Sequence, residues 1–194
     1  DNGQCHVVFK MDFLVFFKYG FAMVVQFNDK AVRCFDGAHF DMVRLDVISF
    51  SRFGVEPRLC DLTDIGAVEK VVDGNTCCIY MEIITNPQME VVDLQALSRI
   101  VHERGIPLIV DTTLIPFTEF DSHSLGVDIE VVSSTKYLSG GATSIGGLVI
   151  DYGTCPGFGK RMRTEMLLNL GAYMTPHVAY MLSLIHISEP TRPR

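Results

Sequence analysis

The sequence predicts an α/β domain with a mainly parallel sheet and helices on both faces. From Asp61 onward, helix-like and strand-like segments alternate, which is the pattern of strands joined by crossover helices. The run Pro107 to Val110 is short and wholly apolar, and Ile129 to Val132 is similar, as expected of parallel strands covered on both faces. With 194 residues, 48% of them hydrophobic, the chain can bury a sizeable core as one domain.

Asp61-Leu-Thr-Asp64 is a helix start signal, and Ile65, Val68, Val71 and Val72 follow at helical spacing until Gly74 stops the run. Thr76 to Glu82 reads as a strand. Asp93 can cap a helix whose Leu94, Leu97, Ile100 and Val101 share a face, and Gly105 stands where a left-handed C-terminal residue is wanted. Strands are expected at Pro107 to Val110, Ile129 to Val132 and Gly147 to Asp151. The first 50 residues are less patterned: Val24, Val25 and Val32 are strand-like, and Asp41 to Phe53 could be helical. Met11 to Phe27 is the most apolar stretch, but Asp12, Lys18 and Gly20 interrupt it. It is also shorter than the roughly 20 residues a spanning helix needs, so a buried element is expected.

A net charge of −7 and the lack of a long Lys/Arg run argue against nucleic acid or an anionic membrane as partner, leaving a small molecule. The six cysteines form no Cys-x-x-Cys and no paired Cys/His spacing, so no metal site is expected and the thiols are expected to be reduced and cytoplasmic. His6, His39, His102, His123 and His177 are isolated and read as surface or hydrogen-bonded side chains. Gly153 to Lys160 superficially suggests a phosphate loop, but it is one residue too long and ends in Arg161 rather than Ser or Thr.

Two residues at the carboxyl ends of predicted strands carry the chemistry. Asp111 follows Ile106-Pro-Leu-Ile-Val110, and Lys136 follows Val131-Val-Ser-Ser-Thr135. A lysine amine can form a Schiff base with an aldehyde cofactor, and a buried carboxylate can keep a pyridine nitrogen protonated. Ligands collect at these strand ends in open α/β sheets. Either residue could instead merely cap the next helix or reach solvent.

The longer pattern is more specific. Glu82-Ile-Ile-Thr-Asn-Pro87, Val91-Val-Asp93, Gly105-Ile-Pro-Leu-Ile-Val-Asp111, Gly126-Val-Asp-Ile129, Ser133-Ser-Thr-Lys-Tyr137 and Thr143-Ser-Ile-Gly-Gly147 occur in that order. Together they resemble the trans-sulfuration, or Cys/Met-metabolism, family of pyridoxal 5'-phosphate (PLP) enzymes, from about Phe53 to Leu182. The resemblance implies the large domain of an aspartate-aminotransferase-like (fold type I) PLP enzyme. It implies that Lys136 holds the cofactor and moves protons, that Asp111 faces the ring nitrogen, and that Ser133 and Thr135 bind the phosphate. It also implies that Asn86 lies near the cofactor's phenolic oxygen and the substrate carboxylate, where the alternative is a plain turn before Pro87. Glu82 belongs to the same motif without an assigned step. Family members usually have Asn after the aspartate, and here Thr112 follows it, a change expected to alter local hydrogen bonds but not the charge.

Upstream the match is poorer. Gly3 and Gln4 stand for the remnant of a phosphate-binding loop, and Phe35 for the aromatic ring that stacks on the cofactor. Stacking needs only a π face, but the usual tyrosine hydroxyl would be lost. Gly140-Gly-Ala142 lacks the histidine often found there.

The implied reaction is replacement or elimination at the γ- or β-carbon of sulfur amino acids or O-acylhomoserine. The variants Glu82-Ile-Ile-Thr-Asn-Pro87 and Asn169-Leu-Gly-Ala172 favour the O-acetylhomoserine sulfhydrylase branch, with sulfide or a thiol as second substrate. Cystathionine γ-synthase or a β/γ-lyase is the alternative, and transamination or decarboxylation on the same scaffold ranks below both. The parent is expected to be a homodimer or homotetramer. Because such enzymes are considerably longer, another expectation is an inert fragment, with residues 1–181 a partial PLP-binding domain. The chain starts at Asp1 and looks truncated, with no signal peptide visible. Residues 182–194 read like a translated sequencing adapter and are expected to be non-native, the alternative being a genuine terminal helix stopped by Pro190.

Overall fold

The computed structural model describes residues 5–9, 55–84, 89–115, 119–140, 143–169 and 171–188. Among them, six strands form one sheet: β1 (Cys5–Phe9), β2 (Val55–Leu59), β3 (Thr76–Glu82), β4 (Leu108–Asp111), β5 (Ile129–Ser133) and β6 (Gly147–Asp151). Their spatial order is β2-β1-β3-β4-β5-β6. Neighbours from β2 through β5 are parallel, and β6 closes the edge antiparallel to β5. The mainly parallel sheet is as expected, while β1 and β2 are additions to the predicted strands.

Helix α1 (Ile65–Val71) begins where Asp64 accepts a hydrogen bond from the Ala67 amide at 3.2 Å, which satisfies one of the amides that every helix start leaves unpaired. Asp93 does the same for α2 (Leu94–His102), accepting from Ala96 N at 3.0 Å. The apolar face of α2 supplies buried Leu94, Leu97 and Val101 to the core. Gly105 adopts φ +69°, and the chain then turns so that Ile106 N donates to Val101 O at 2.9 Å. The core itself joins Leu62 and the α1 residue Val68 with Ile79, Met81 and Ile83 of the β3 region and with Leu108 and Val110 of β4.

The chain from β4 to β5 packs tightly against α2. Gly126 has φ +90°, and a Cβ added there would overlap the Ser98 side chain. Nearby, Asp128 Oδ2 accepts from the Leu108 amide at 2.7 Å and faces His102 Nε2 at 2.8 Å. His123 stacks on Tyr152 with ring centroids 4.6 Å apart. Both histidines are thus partnered, as expected.

Beyond β6 lie the single turn α3 (Phe158–Arg161), a wide π-type turn (Met162–Asn169) and α4 (Pro176–Ser188). The last runs through Leu182 without a break, so no structural boundary marks the junction expected there. Among the described residues no helix is long and apolar enough to cross a membrane. Burial pushes the Cys78 thiol up to about 12, and Cys60, Cys78 and Cys155 carry free thiols.

Candidate active site

The parallel register brings the functional side chains together. Asp111 ends β4, opposite Glu82 of β3 on one side and Val131 of β5 on the other. It is only 6% exposed. Its Oδ1 accepts from the Thr113 amide at 2.8 Å, and its Oδ2 accepts from the Tyr80 hydroxyl at 3.2 Å. Burial pushes the carboxyl above its ordinary range, while the Thr113 and Tyr80 donors and the positive charge of Lys136 pull it back down in part. Tyr80 itself is held far above its ordinary value, first by burial and then by the neighbouring Asp111 and Glu82 carboxylates, so it keeps its proton and can only donate to Asp111.

Ser133 ends β5 and is buried. Its amide donates to Thr113 Oγ1 at 2.8 Å, which ties the end of β5 to the residue whose amide holds Asp111. The chain then forms a π-type turn, Ser134–Leu138, broken at Lys136 by φ −81° and ψ −108°. This break presents Lys136 on the exposed side of the turn, directly after the strand end. The turn is fixed from behind: Thr135 Oγ1 donates to Gly146 O at 3.2 Å and accepts from Gly146 N at 3.0 Å, and Ser139 Oγ donates to Thr135 O at 2.7 Å. A Cβ at Gly146 would come within 2.6 Å of Ser134 Oγ, so a larger residue there would force that hydroxyl to move.

Asp111, Ser133, Thr135 and Lys136 therefore share one end of the sheet, as the sequence implied. Asn86, Phe35, Gly3 and Gln4 lie outside the described residues. Thr135 has its only hydroxyl proton engaged with Gly146 here, whereas two other buried hydroxyls, Ser134 Oγ and Ser144 Oγ, have no hydrogen-bond partner among the described residues. An unspent Ser134 hydroxyl in the same turn as Lys136, with the buried Asp111 carboxylate within electrostatic reach of that lysine, fits the donor chemistry of a PLP site, which needs an amine for the aldehyde, a carboxylate for the ring nitrogen and hydroxyls for the phosphate.

Sequence reasoning missed Tyr80 and Thr113. Tyr80 lies two residues before Glu82 on β3, so strand alternation places it on the same face as Asp111's register partner. That signal becomes readable only once the register is known. Thr112, the departure from the usual asparagine, is fully buried and donates to Glu130 Oε1 at 2.5 Å. Glu130 Oε2 receives Ser122 at 2.5 Å and Tyr152 at 2.6 Å, so this carboxylate inside β5 is held by hydroxyls alone among the described residues.

The family profile described as Cys/Met metabolism PLP-dependent enzyme matches residues 30–184. A canavanine γ-lyase of Pseudomonas canavaninivorans is 36% identical over 141 residues, which are 73% of this chain and 34% of that protein. The homocysteine/cysteine synthase of Saccharomyces cerevisiae is 32% identical over 166 residues, covering 70% of this chain and 37% of that one. Among solved structures, O-acetylhomoserine sulfhydrylase of Wolinella succinogenes superposes with a TM-score of 0.66 at 34% identity, covering 93% of this chain and 50% of that one. The chain thus spans about a third of the length of the curated relatives it matches.

Proposed function

We propose that this chain, which belongs to the Cys/Met metabolism PLP-dependent enzyme family, carries the cofactor-holding part of an enzyme that performs replacement or elimination on sulfur amino acids or O-acylhomoserine. The observation that supports this best is the buried Asp111 carboxylate within electrostatic reach of Lys136, the two standing at the ends of neighbouring strands. When bound, PLP supplies an electron sink for carbanion chemistry next to the substrate amine.

This chain's own residues would act as follows. Lys136 attaches the cofactor and, once freed, takes and returns protons at its Nζ. Asp111 faces the ring nitrogen, where a buried carboxylate favours a cationic partner over water. Ser133 and Thr135 hold the phosphate, Thr135 by turning its hydroxyl away from Gly146. Asn86 orients the substrate carboxylate, and Phe35, Gly3 and Gln4 complete the ring and phosphate contacts. Sulfide or a thiol is the second substrate, and the parent is a cytoplasmic homodimer or homotetramer.

The likeness to the yeast synthase and the Wolinella sulfhydrylase supports replacement, whereas the likeness to the canavanine γ-lyase supports elimination. Titration of the full chain with PLP, borohydride trapping and peptide mapping tests the cofactor site, with Lys136→Ala as control. Label on Lys136 is the expected result. A folded chain without label would reduce the proposal to its parent. Release of an α-keto acid against formation of a thioether then separates elimination from replacement.

A further inference from the structure

We infer that Tyr80 is a positioning residue that holds Asp111 in its ionised, ring-facing state. The inference rests on the reading of Asp111 as partner of the cofactor's ring nitrogen. Its geometry stands apart from that reading.

Asp111 is buried at the end of β4, and its two oxygens have different donors: the Thr113 amide on Oδ1 and the Tyr80 hydroxyl on Oδ2. Thr113 acts on Asp111 through its side chain as well as its amide, and the amide belongs to the backbone of the turn, where no side-chain substitution removes it. Tyr80 comes from another strand, 31 residues earlier, and is itself only 4% exposed. In the register of β3 and β4, Tyr80 stands opposite Ile109 and Glu82 opposite Asp111. Tyr80 and Asp111 are therefore diagonal neighbours on one face of the sheet, close enough for a long side chain to bridge.

The direction of the bond matters. A carboxylate that accepts a hydrogen bond is favoured in its charged form, and a buried one needs that help because water is not there to give it. Three groups bear on Asp111: Lys136 from the turn after β5, Thr113 from its own loop, and Tyr80 from β3. Lys136 would be tied up by attachment to the cofactor and would no longer be a free ammonium beside Asp111. Tyr80 is neutral and buried and keeps its proton, so its contribution would persist in that state. A phenylalanine would fill the same space and lack only the donor.

The test is Tyr80→Phe in the full chain. Asp111's carboxyl titration is followed by carbon-13 NMR on the protein without cofactor, with the resonance assigned through Asp111→Asn. Loss of one donor to a buried carboxylate is expected to raise its proton affinity about tenfold. As pH is lowered, the variant should lose PLP at correspondingly higher pH than the wild type, and its thermal midpoint at neutral pH should fall by a few degrees, the stability counterpart of the same tenfold change. An unmoved Asp111 titration would overturn the inference whatever the cofactor does. Movement of that titration together with an unlabelled Lys136 in the wild type would keep Tyr80's role toward Asp111 and defeat the cofactor reading instead.

Discussion

Asp111→Asn should stabilise the chain without cofactor and weaken its hold on PLP. In the fold, burial outweighs the hydrogen bonds and Lys136, so the carboxyl sits above its ordinary range. For an acid raised in this way, the stability it contributes is fully present below the unfolded value of about 3.9 and lost as pH rises through the folded value. At neutral pH the wild-type chain therefore carries an unfavourable buried charge. Asparagine removes it and can still satisfy both neighbours: its oxygen accepts from the Thr113 amide, and its amide group donates to the Tyr80 hydroxyl, which rotates to accept.

The net gain is of the order of 1 kcal/mol for replacing a buried, partly satisfied charge by a satisfied amide. For a chain of this size that raises the thermal midpoint by about 2–4 °C. Thermal melts of both proteins from pH 4 to pH 8 read it directly. The advantage of asparagine should be smallest at the acid end, grow as pH rises, and level off. PLP titration of the same samples should show affinity falling by about tenfold or more, because asparagine has no charge to offer a protonated ring. A variant less stable than wild type at pH 7, or an advantage that does not change with pH, would refute the account of Asp111 as a strained buried carboxylate.

Two further substitutions test the frame that carries the site. Gly126→Ala combines a left-handed backbone with an overlap on Ser98 and should cost about 3 kcal/mol, seen as an earlier urea midpoint with an unchanged slope. A loss below 1 kcal/mol would mean that α2 and the β4–β5 connection are less tightly apposed than they look. Glu130→Ala leaves the buried Thr112 and Ser122 hydroxyls and the half-buried Tyr152 hydroxyl without their common acceptor, with only the Ser122–Tyr152 contact left, and should cost about 3 kcal/mol by the same measurement. A near-neutral result would show that these hydroxyls find other partners.

Much of this architecture was legible because its signals are local. Asp64 and Asp93 announce their helices by side chains that accept from amides only three residues further on, and Pro107 to Val110 reads as a covered strand from composition alone. The edge strand β2 was harder to see because Pro57 interrupts it, and proline is tolerated there since an edge strand has one side without a ladder partner. Strand β1, Cys5–Phe9, lies in a stretch whose pattern suggested no element at all.

The site divides in the same way. Asp111 and Lys136 follow their strands in sequence, so a reader of the chain can find them. Tyr80, Thr113 and Glu130 act through neighbours 8 to 31 residues away or through a register that the sequence does not state. Glu130 is the sharpest case, because a charged residue inside a predicted strand normally argues for an exposed face, yet it is 1% exposed. What makes it tolerable is a set of hydroxyls, each ordinary in isolation and informative only as a group. The residues that donate to Asp111 follow the same logic, since one is Thr113, acting through its side chain and its amide, and the other a strand tyrosine. The chemistry placed at the strand ends can therefore be read from motifs, but the control of its charge depends on contacts made across strands. Changing Tyr80 should alter the reactivity of a site whose motif residues all stay in place.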